Sequence, residues 1–268
     1  MYMDGLHVRE PAATLGAPHQ PAQNGYRMTV KSAERALRIL ETLAAAGTGL
    51  SVSELCRDTG YPRTSMHALL RTMCDLGWVQ TEGWVFGLGP RALRAGRAYL
   101  DRDPALRLAQ GTLDALRAEV GQPVYYARRD GDQVTLLAGR EVPDREGFGA
   151  MVGRQVPAHT SALGHALLAG LTPEDVDALV PAAITDRRAL RSELAAVRSR
   201  GWALTRGQAR PGFACVAVAV DYRVPAVDAM ACSMPVEQAE GRQLTHAIAA
   251  VTAHATALAA NRRRQGVH

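Results

Sequence analysis

Between residues 29 and 76 the apolar positions recur with the 3.6-residue period of α-helices, and glycines interrupt the pattern. The first periodic segment predicts a helix that Ser32 caps and that ends at Gly47. Ser51 and Glu54 have the spacing of a capping box, in which a Ser side chain and a Glu side chain each bond the other residue's backbone N–H. They predict a second, shorter helix.

A third helix is predicted to follow Gly60 and to end near Leu76, because Tyr61-Pro62 restarts the chain and proline suits a first helical turn. Its apolar residues form one stripe, which we expect to face the core: Met66, Leu69, Leu70, Met73 and Leu76. The opposite side is short-chained, polar and positive: Arg63, Thr64, Ser65, His67, Ala68, Arg71 and Thr72.

Two runs rich in aromatic and β-branched residues come next, over residues 78–81 and 84–88, and Glu82-Gly83 between them is a tight-turn signal. Three helices followed by a hairpin predict a winged helix-turn-helix over residues 28–89. Glu82 is the only charged residue expected at the tip of the hairpin. We therefore expect the wing to contact DNA weakly.

Leu- and Ala-rich helical segments lead away from the hairpin, and the pattern changes beyond Gly121. The remaining strands are predicted over residues 124–128, 134–139, 202–205, 215–220 and 227–233, and the remaining helices over residues 162–168, after Thr172-Pro173, from Thr185 or Asp186 to about Arg200, and over residues 236–261. An antiparallel-prone sheet with covering helices is an α+β fold. The predicted domains are a disordered tail (1–27), the winged helix-turn-helix (28–89), a linker helix (90–103), an effector-binding and oligomerisation domain (104–262) and a second tail (263–268).

Composition and charge narrow the class of protein. The chain has 268 residues, 47% of them hydrophobic, and no run of about 18 apolar residues. Its first ten residues lack the order of a secretory signal, so we expect a cytoplasmic protein without membrane contact. The net charge is +5, and residues 28–100 carry nine Lys or Arg against six acids. A basic first third suits a polyanionic partner, although clustered charge is also typical of a solvated face.

The four cysteines are far apart and have neither CxxC spacing nor histidines at metal-ligand spacing: Cys56, Cys74, Cys215 and Cys232. We expect them to be small buried hydrophobic residues rather than zinc ligands or a disulfide framework. No cofactor is expected.

Six segments taken together resemble the IclR family of bacterial regulators, over most of the chain: residues 32–40, 50–55, 59–65, 86–90, 153–168 and 212–220. The resemblance implies a GAF-like effector domain, dimers built largely through the DNA-binding part and the linker, often tetramers, and palindromic operators. Two places depart from the family's pattern. Thr205 and its neighbours stand where members often carry an acidic run, and His165 replaces a common lysine, so no relative's effector can be assumed.

The third helix is the expected DNA-contacting element, since a helix fits the major groove and residues near its N-terminus reach the base edges. An arginine near the N-terminus of the helix can donate two hydrogen bonds to one guanine. An arginine one turn later can contact a base or a phosphate. The candidate DNA-binding residues are Arg63, Thr64, Ser65, His67 and Arg71. For His67, simple solvation of the helix face is an equal alternative.

In the C-terminal domain, the segment 153–162 leads into a helix whose N-terminal N–H groups and dipole favour an anion. The family resemblance implies that this loop, Cys215 and Ser233 line a small-molecule pocket. We expect a carboxylate effector, and the candidate ligand-binding residues are Met151, Thr160, Ser161, Ala162, Thr205, Cys215 and Ser233. The alternative is that Thr160 or Ser161 only caps the helix.

Other classes of function have weaker support. An enzyme would need a nucleophile and a base, and the candidates, His159, Ser161, His165 and Cys215, lack a GxSxG elbow and a nearby acid that orients a histidine. A metal sensor is disfavoured because the two histidines are six residues apart and do not share a helix face. A DNA-binding scaffold, whose α+β domain only oligomerises, stays open as an alternative.

Overall fold

The computed structural model describes residues 30–142, 152–181 and 186–266. Its helices and antiparallel sheets confirm the α+β fold class. One compact unit ends at Arg97 and a second begins at Ala98. None of the helices in the described ranges is long and apolar enough to cross a membrane.

The first unit is a small helical domain with a hairpin. Its elements are α1 (Lys31–Ala46), β1 (Leu50–Ser51), α2 (Val52–Thr59), α3 (Arg63–Asp75), β2 (Val79–Glu82), β3 (Val85–Leu88) and α4 (Pro90–Arg102), which contains the boundary between the units. The three strands form an antiparallel sheet in the order β1-β3-β2. Buried apolar residues from the first three helices and from β2 make its core: Ile39, Leu43, Leu55, Met66, Leu70, Met73 and Val79.

The glycine stops and the capping box of this unit are as predicted. Gly47 and Gly60 end α1 and α2 in the left-handed region, with φ of 65° and 71°. Ser51 Oγ accepts a hydrogen bond from the Glu54 backbone N–H, and Glu54 Oε2 accepts one from the Ser51 N–H. These local signals therefore set the length of α2.

Three predictions in this unit were wrong in detail. α1 begins after Val30 without a side-chain cap, so Ser32 lies inside the helix. Pro62 is the extended residue before α3 and not its first helical residue. Leu76, expected in the core, lies just beyond the end of α3 and is exposed, because the chain turns there into β2.

The hairpin turn also differs from the expected Glu82-Gly83. Glu82 pairs with Val85, so the two-residue loop consists of Gly83, whose φ is 61°, and Trp84. Glycine tolerates this backbone angle without steric cost, and it takes the first loop position rather than the second. The shift brings Trp84 to the tip of the hairpin.

The second unit is built around one six-stranded antiparallel sheet in the order β6-β5-β4-β9-β8-β7. Its strands are β4 (Val124–Asp130), β5 (Gln133–Arg140), β6 (Gln155–Pro157), β7 (Ala203–Arg206), β8 (Phe213–Ala219) and β9 (Asp228–Pro235). Its helices are α5 (Pro104–Val120), α6 (Ala162–Leu168), α7 (Pro173–Leu179), α8 (Arg187–Arg200) and α9 (Gly241–Arg264), and a 3-10 turn (Val236–Gln238) precedes α9.

The alternation of side chains along the strands gives this sheet two apolar faces. On one face, Tyr125, Ala127, Ala217 and Ala231 pack with α6, α7 and α8. On the other face, side chains of the same strands pack with α5 and α9: Val124, Tyr126, Val218, Met230 and Cys232. The face toward α6, called here the α6 face, contains the candidate ligand residues of the sheet.

The strands differ from prediction by one or two residues at most ends, except for β6, which was missed. The segment before the helix that begins at Ala162 was expected to be a loop, but Gln155, Val156 and Pro157 pair with Thr135, Val134 and Gln133 of β5. A three-residue edge strand has too short a pattern to be recognised without its partner. The last helix was predicted from Val236, but Val236–Gln238 is the separate 3-10 turn.

Candidate functional site

The exposed side of α3 carries four of the five predicted DNA-contacting residues. Arg63, Thr64, His67 and Arg71 are exposed, on the side of the helix opposite Met66 and its buried neighbours. Ordinary 3.6-residue periodicity brings them together, since the buried residues follow at positions 66, 70 and 73. The result is a polar, positively charged helix face next to the N-terminus of α3.

Ser65 is the exception, because it is partly buried. Arg35 of α1 donates a long hydrogen bond of 3.5 Å from Nη1 to Ser65 Oγ, and its guanidinium lies 5.1 Å from the centre of the Tyr61 ring. Arg35 thus links α1 to the start of α3 and adds a cation beside the predicted face. Sequence analysis did not single it out, because a helical arginine carries no local sign of a partner 30 residues away.

On the α6 face of the second unit, three candidate ligand residues lie side by side. Thr205 of β7 is directly opposite Cys215 of β8, and Cys215 is directly opposite Ser233 of β9. Thr205 and Ser233 are buried and Cys215 partly so. Directly opposite residues have Cβ atoms about 5 Å apart. This row of three short polar side chains, here the polar row, crosses a face that is otherwise lined mostly by Ala, Val and Leu, with the rings of Tyr125 and Phe213.

The two hydroxyls and the thiol of the polar row are uncharged hydrogen-bonding groups. Ser233 Oγ donates to the Ala214 carbonyl at 3.4 Å. Burial raises the pKa of the Cys215 thiol to about 12, so a thiolate is absent at neutral pH. The row is therefore suited to hydrogen bonding and contact with a ligand, and not to nucleophilic attack.

The start of α6 packs on the same side of the sheet as the polar row. α6 contacts β7, β8 and β9, and Ala162 is buried in the core of this face. Ser161 caps the helix by accepting from the Gly164 N–H at 3.1 Å. The Thr160 N–H donates to the Pro157 carbonyl at 3.3 Å, so one amide of the expected anion cradle is used within the loop.

Met151, the remaining predicted ligand residue, lies outside the described residues. The same holds for Thr185, whereas Asp186 is the cap of α8 and accepts from the Arg188 and Ala189 N–H groups.

His165, which is buried in α6, lies against the partly buried His159 of the preceding loop. His165 Nε2 lies 2.8 Å from the His159 carbonyl oxygen, an arrangement that fits a neutral ring with the proton on Nε2. Burial lowers the pKa of both histidines, so both are uncharged at neutral pH. No group of three or more His, Cys, Asp or Glu within the described ranges could hold a metal ion.

Comparison with known proteins identifies the chain. The family model described as the IclR helix-turn-helix domain matches residues 32–83, and that described as the C-terminal part of the bacterial transcriptional regulator IclR matches residues 97–260. The chain belongs to the IclR family. It is therefore a DNA-binding transcription regulator and not an enzyme.

Relatives of this IclR-family member include HTH-type transcriptional regulator XynR of Escherichia coli (strain K12), which is 28% identical over 202 residues, 71% of this chain and 80% of XynR. A solved structure of an IclR transcriptional regulator from Alicyclobacillus acidocaldarius matches with a TM-score of 0.74 at 23% identity, over 87% of this chain and 98% of that one. An IclR homologue from Microbacterium hydrocarbonoxydans, solved in complex with 4-hydroxybenzoate, matches with a TM-score of 0.68 at 22% identity, over 87% of this chain and 99% of that one.

The structure adds polar residues near the polar row that the sequence analysis missed. Tyr125 Oη donates to the Glu141 carboxylate at 3.2 Å. The Arg210 guanidinium lies 4.1 Å from the centre of the Phe213 ring. Phe213 is two residues before Cys215 in β8 and is on the same face. Burial raises the pKa of Glu141, while the Tyr125 hydrogen bond and the charge of Arg210 lower it. Arg210 is in the β7–β8 connection, where only the pairing of these strands shows which face it approaches.

Proposed function

We propose that this IclR-family regulator binds a small organic acid on the α6 face and that the bound acid changes its affinity for its operator. The observation that carries the proposal is the register of the polar row, which puts Thr205, Cys215 and Ser233 side by side within an apolar face. A few polar groups in apolar surroundings are typical of sites for small organic ligands. Thr160, Ser161, Ala162 and Met151 complete the proposed set of ligand residues.

An acid is favoured over a neutral ligand by the charge near this face. Burial raises the pKa of Glu141 and of Tyr125, and the positive charge of Arg210 opposes both increases, so its field reaches the end of the sheet that contains Phe213. A structural neighbour has been solved with 4-hydroxybenzoate, an aromatic acid, which supports this class of ligand. The hydroxyls of Thr205 and Ser233 can hydrogen-bond a carboxylate or a phenol.

We infer that α3 enters the major groove and that Arg63 donates to a guanine, with Thr64, Ser65 and His67 contacting neighbouring base edges. Arg71, one turn beyond His67 on α3, is assigned to a base or a phosphate. The exposure of Arg63 and His67 on one helix face supports this assignment. Since the partner is chromosomal DNA, we expect the protein in the cytoplasm.

We propose a homodimer, or a homotetramer made of two such dimers, bound to a palindromic operator with half-sites one helical turn or a multiple of it apart. Large apolar side chains are exposed on α1 and α4 of the first unit, among them Leu37 and Leu93. Burial of these residues against a second copy would remove apolar surface from water. The acid can then alter DNA affinity only by binding unequally to two states of this oligomer.

The effector is tested by calorimetric titration of the full-length protein with 4-hydroxybenzoate and with other aromatic and aliphatic acids. We expect Thr205→Val to lower the affinity for whichever acid binds by about tenfold, because a buried hydrogen bond to a charged group is lost. Thr112→Val is the matched control, since Thr112 belongs to α5 on the other side of the sheet and its hydroxyl donates to the Leu108 carbonyl there. It should leave the affinity unchanged.

Operator control is tested by gel shift at fixed salt, on a duplex that the wild-type protein selects from a random-sequence library. Arg63→Ala should lower the affinity for the duplex by about tenfold or more, because a bidentate contact with guanine is lost. Arg242→Ala, at an exposed position of α9, should leave the affinity unchanged. The acid should change the wild-type affinity. Tight DNA binding that no binding acid alters would contradict effector control, and failure of every acid to bind would favour the scaffold alternative.

A further inference from the structure

We propose that Trp84, at the tip of the β2–β3 hairpin, contacts the operator directly by placing its indole ring against the minor groove beside the site of α3. The indole side chain is 91% exposed, although it is among the largest apolar side chains of the protein. A two-residue loop with Gly83 at φ 61° holds it at the end of two paired strands. An aromatic ring is thus presented to solvent on a rigid support.

The pairing of the strands places this ring near the DNA. Val85, the residue after Trp84, pairs with Ser51, and Ser51 is the cap of α2, the first helix of the helix-turn-helix. In this motif the first helix crosses the DNA backbone while the second enters the major groove. The hairpin tip therefore lies next to the element that meets the sugar-phosphate backbone.

The packing between β1 and the hairpin is tight enough to fix the position of the tip. A Cβ on Gly49, just before β1, would lie 3.1 Å from Val85 Cγ2 and 3.5 Å from the Phe86 carbonyl oxygen. Gly49 therefore permits the close approach of the two segments. This packing of β3 against the segment before β1 holds the hairpin tip against the rest of the DNA-binding unit.

The chemistry of the hairpin favours an uncharged contact. Over β2, the loop and β3, Glu82 is the only charged residue, and its carboxylate is repelled by phosphates. Apolar side chains are used in the minor groove to contact sugars or to wedge between base steps, and an indole N–H can donate to the purine N3 or pyrimidine O2 acceptors there. Trp84 therefore supplies the contact with DNA that Lys or Arg residues of a hairpin usually provide. With this contact the wing contributes more to DNA affinity than the charge of the hairpin suggests.

The test uses the full-length protein and a duplex that the wild-type protein selects from a random-sequence library. Trp84→Ala should lower affinity by about tenfold or more, while Trp84→Phe keeps most of it, because the flat aromatic surface remains. The slope of log affinity against log salt should not change, since the slope reports neutralised phosphates. Gln80→Ala, an exposed change on β2 of the same hairpin, is the control and should bind as the wild type does.

A second readout is the fluorescence of Trp84 itself, taken as the difference between the wild type and Trp84→Phe. Acrylamide should quench it in the free protein and much less in the complex with the duplex. Unchanged affinity in Trp84→Ala, or unchanged quenching in the complex, would overturn the proposal. So would dissociation of the DNA-free oligomer by Trp84→Ala in sedimentation, which would assign the ring to an interface between copies of this chain.

Discussion

Gly164 shows how a single residue decides the packing of α6. A Cβ at this position would come closer to the Ala158 carbonyl oxygen and Cα than any real Cβ contact. The backbone of α6 is therefore in direct contact with the end of the β6 segment, which also brings the His165 ring within 2.8 Å of the His159 carbonyl. The glycine is needed here for space and not for an unusual backbone angle.

Gly164→Ala is expected to destabilise the second unit by about 1 to 3 kcal/mol, because backbone atoms must move apart to admit the methyl group. The measurement is the thermal unfolding of the full-length protein by scanning calorimetry. Gly111→Ala is the matched control, since a Cβ on Gly111 of α5 would meet no other part of the described chain within 4 Å. It should raise stability by about 0.5 to 1 kcal/mol, and a loss of similar size in both variants would contradict the packing explanation.

At the scale of elements, α2 is a helix of eight residues and depends on its ends. Ser51 and Glu54 form the capping box at its start, with hydrogen bonds of 3.3 Å and 2.9 Å between side chain and backbone, and Gly60 closes its end. Helices this short are marginal by themselves. The cap also belongs to β1, whose Ser51 pairs with Val85, so it supports both the helix-turn-helix and the hairpin.

Ser51→Ala is expected to lower the stability of α2 by about 1 kcal/mol, because a backbone N–H group in the first turn of the helix loses its hydrogen-bond acceptor. Hydrogen exchange of the α2 amides in the full-length protein should then speed up by about fivefold. Ser53→Ala, at an exposed position of the same helix, is the control and should change exchange little. Equal effects of the two substitutions would mean that the capping box does not limit the opening of α2.

At the scale of the whole molecule, a buried charge cluster joins distant parts of the second unit. Asp228 of β9 is 0% exposed and accepts from Arg262 of α9 at 2.6 Å and from Arg128 of β4 at 2.6 Å. Tyr126 Oη also donates to Asp228, and Arg128 bonds Asp103, the cap of α5. Burial raises the pKa of Asp228, but these hydrogen bonds and charges outweigh it and hold that pKa below its ordinary value.

Arg262→Met is expected to destabilise the second unit by about 3 kcal/mol, because it leaves Asp228 buried with one cation fewer. In scanning calorimetry this corresponds to a fall of about 6 to 12 °C in the unfolding temperature. Arg264→Met, in the exposed last turn of the same helix, is the control and should shift the temperature little. A small effect of Arg262→Met would show that Arg128 alone compensates the carboxylate.

Much of the fold followed from signals that lie within a few residues of each other. The capping box at Ser51, the glycine stops at Gly47 and Gly60, and the stripe through Met66 and Met73 are local, because caps and helical periodicity involve neighbours three or four positions apart. Together with the order of helices and strands, such signals were enough for the α+β class. The resemblance to the IclR family came instead from six sequence segments, and the family models confirm it.

What only the tertiary structure decided depends on partners far along the chain. The register of Thr205, Cys215 and Ser233, the short strand β6, and the cluster around Asp228 each join residues tens of positions apart. Strand pairing and buried ion pairs leave no periodic trace in the sequence, because either partner alone resembles an ordinary surface or core residue. The exposure of Trp84 likewise depended on which two residues the paired strands left in the turn.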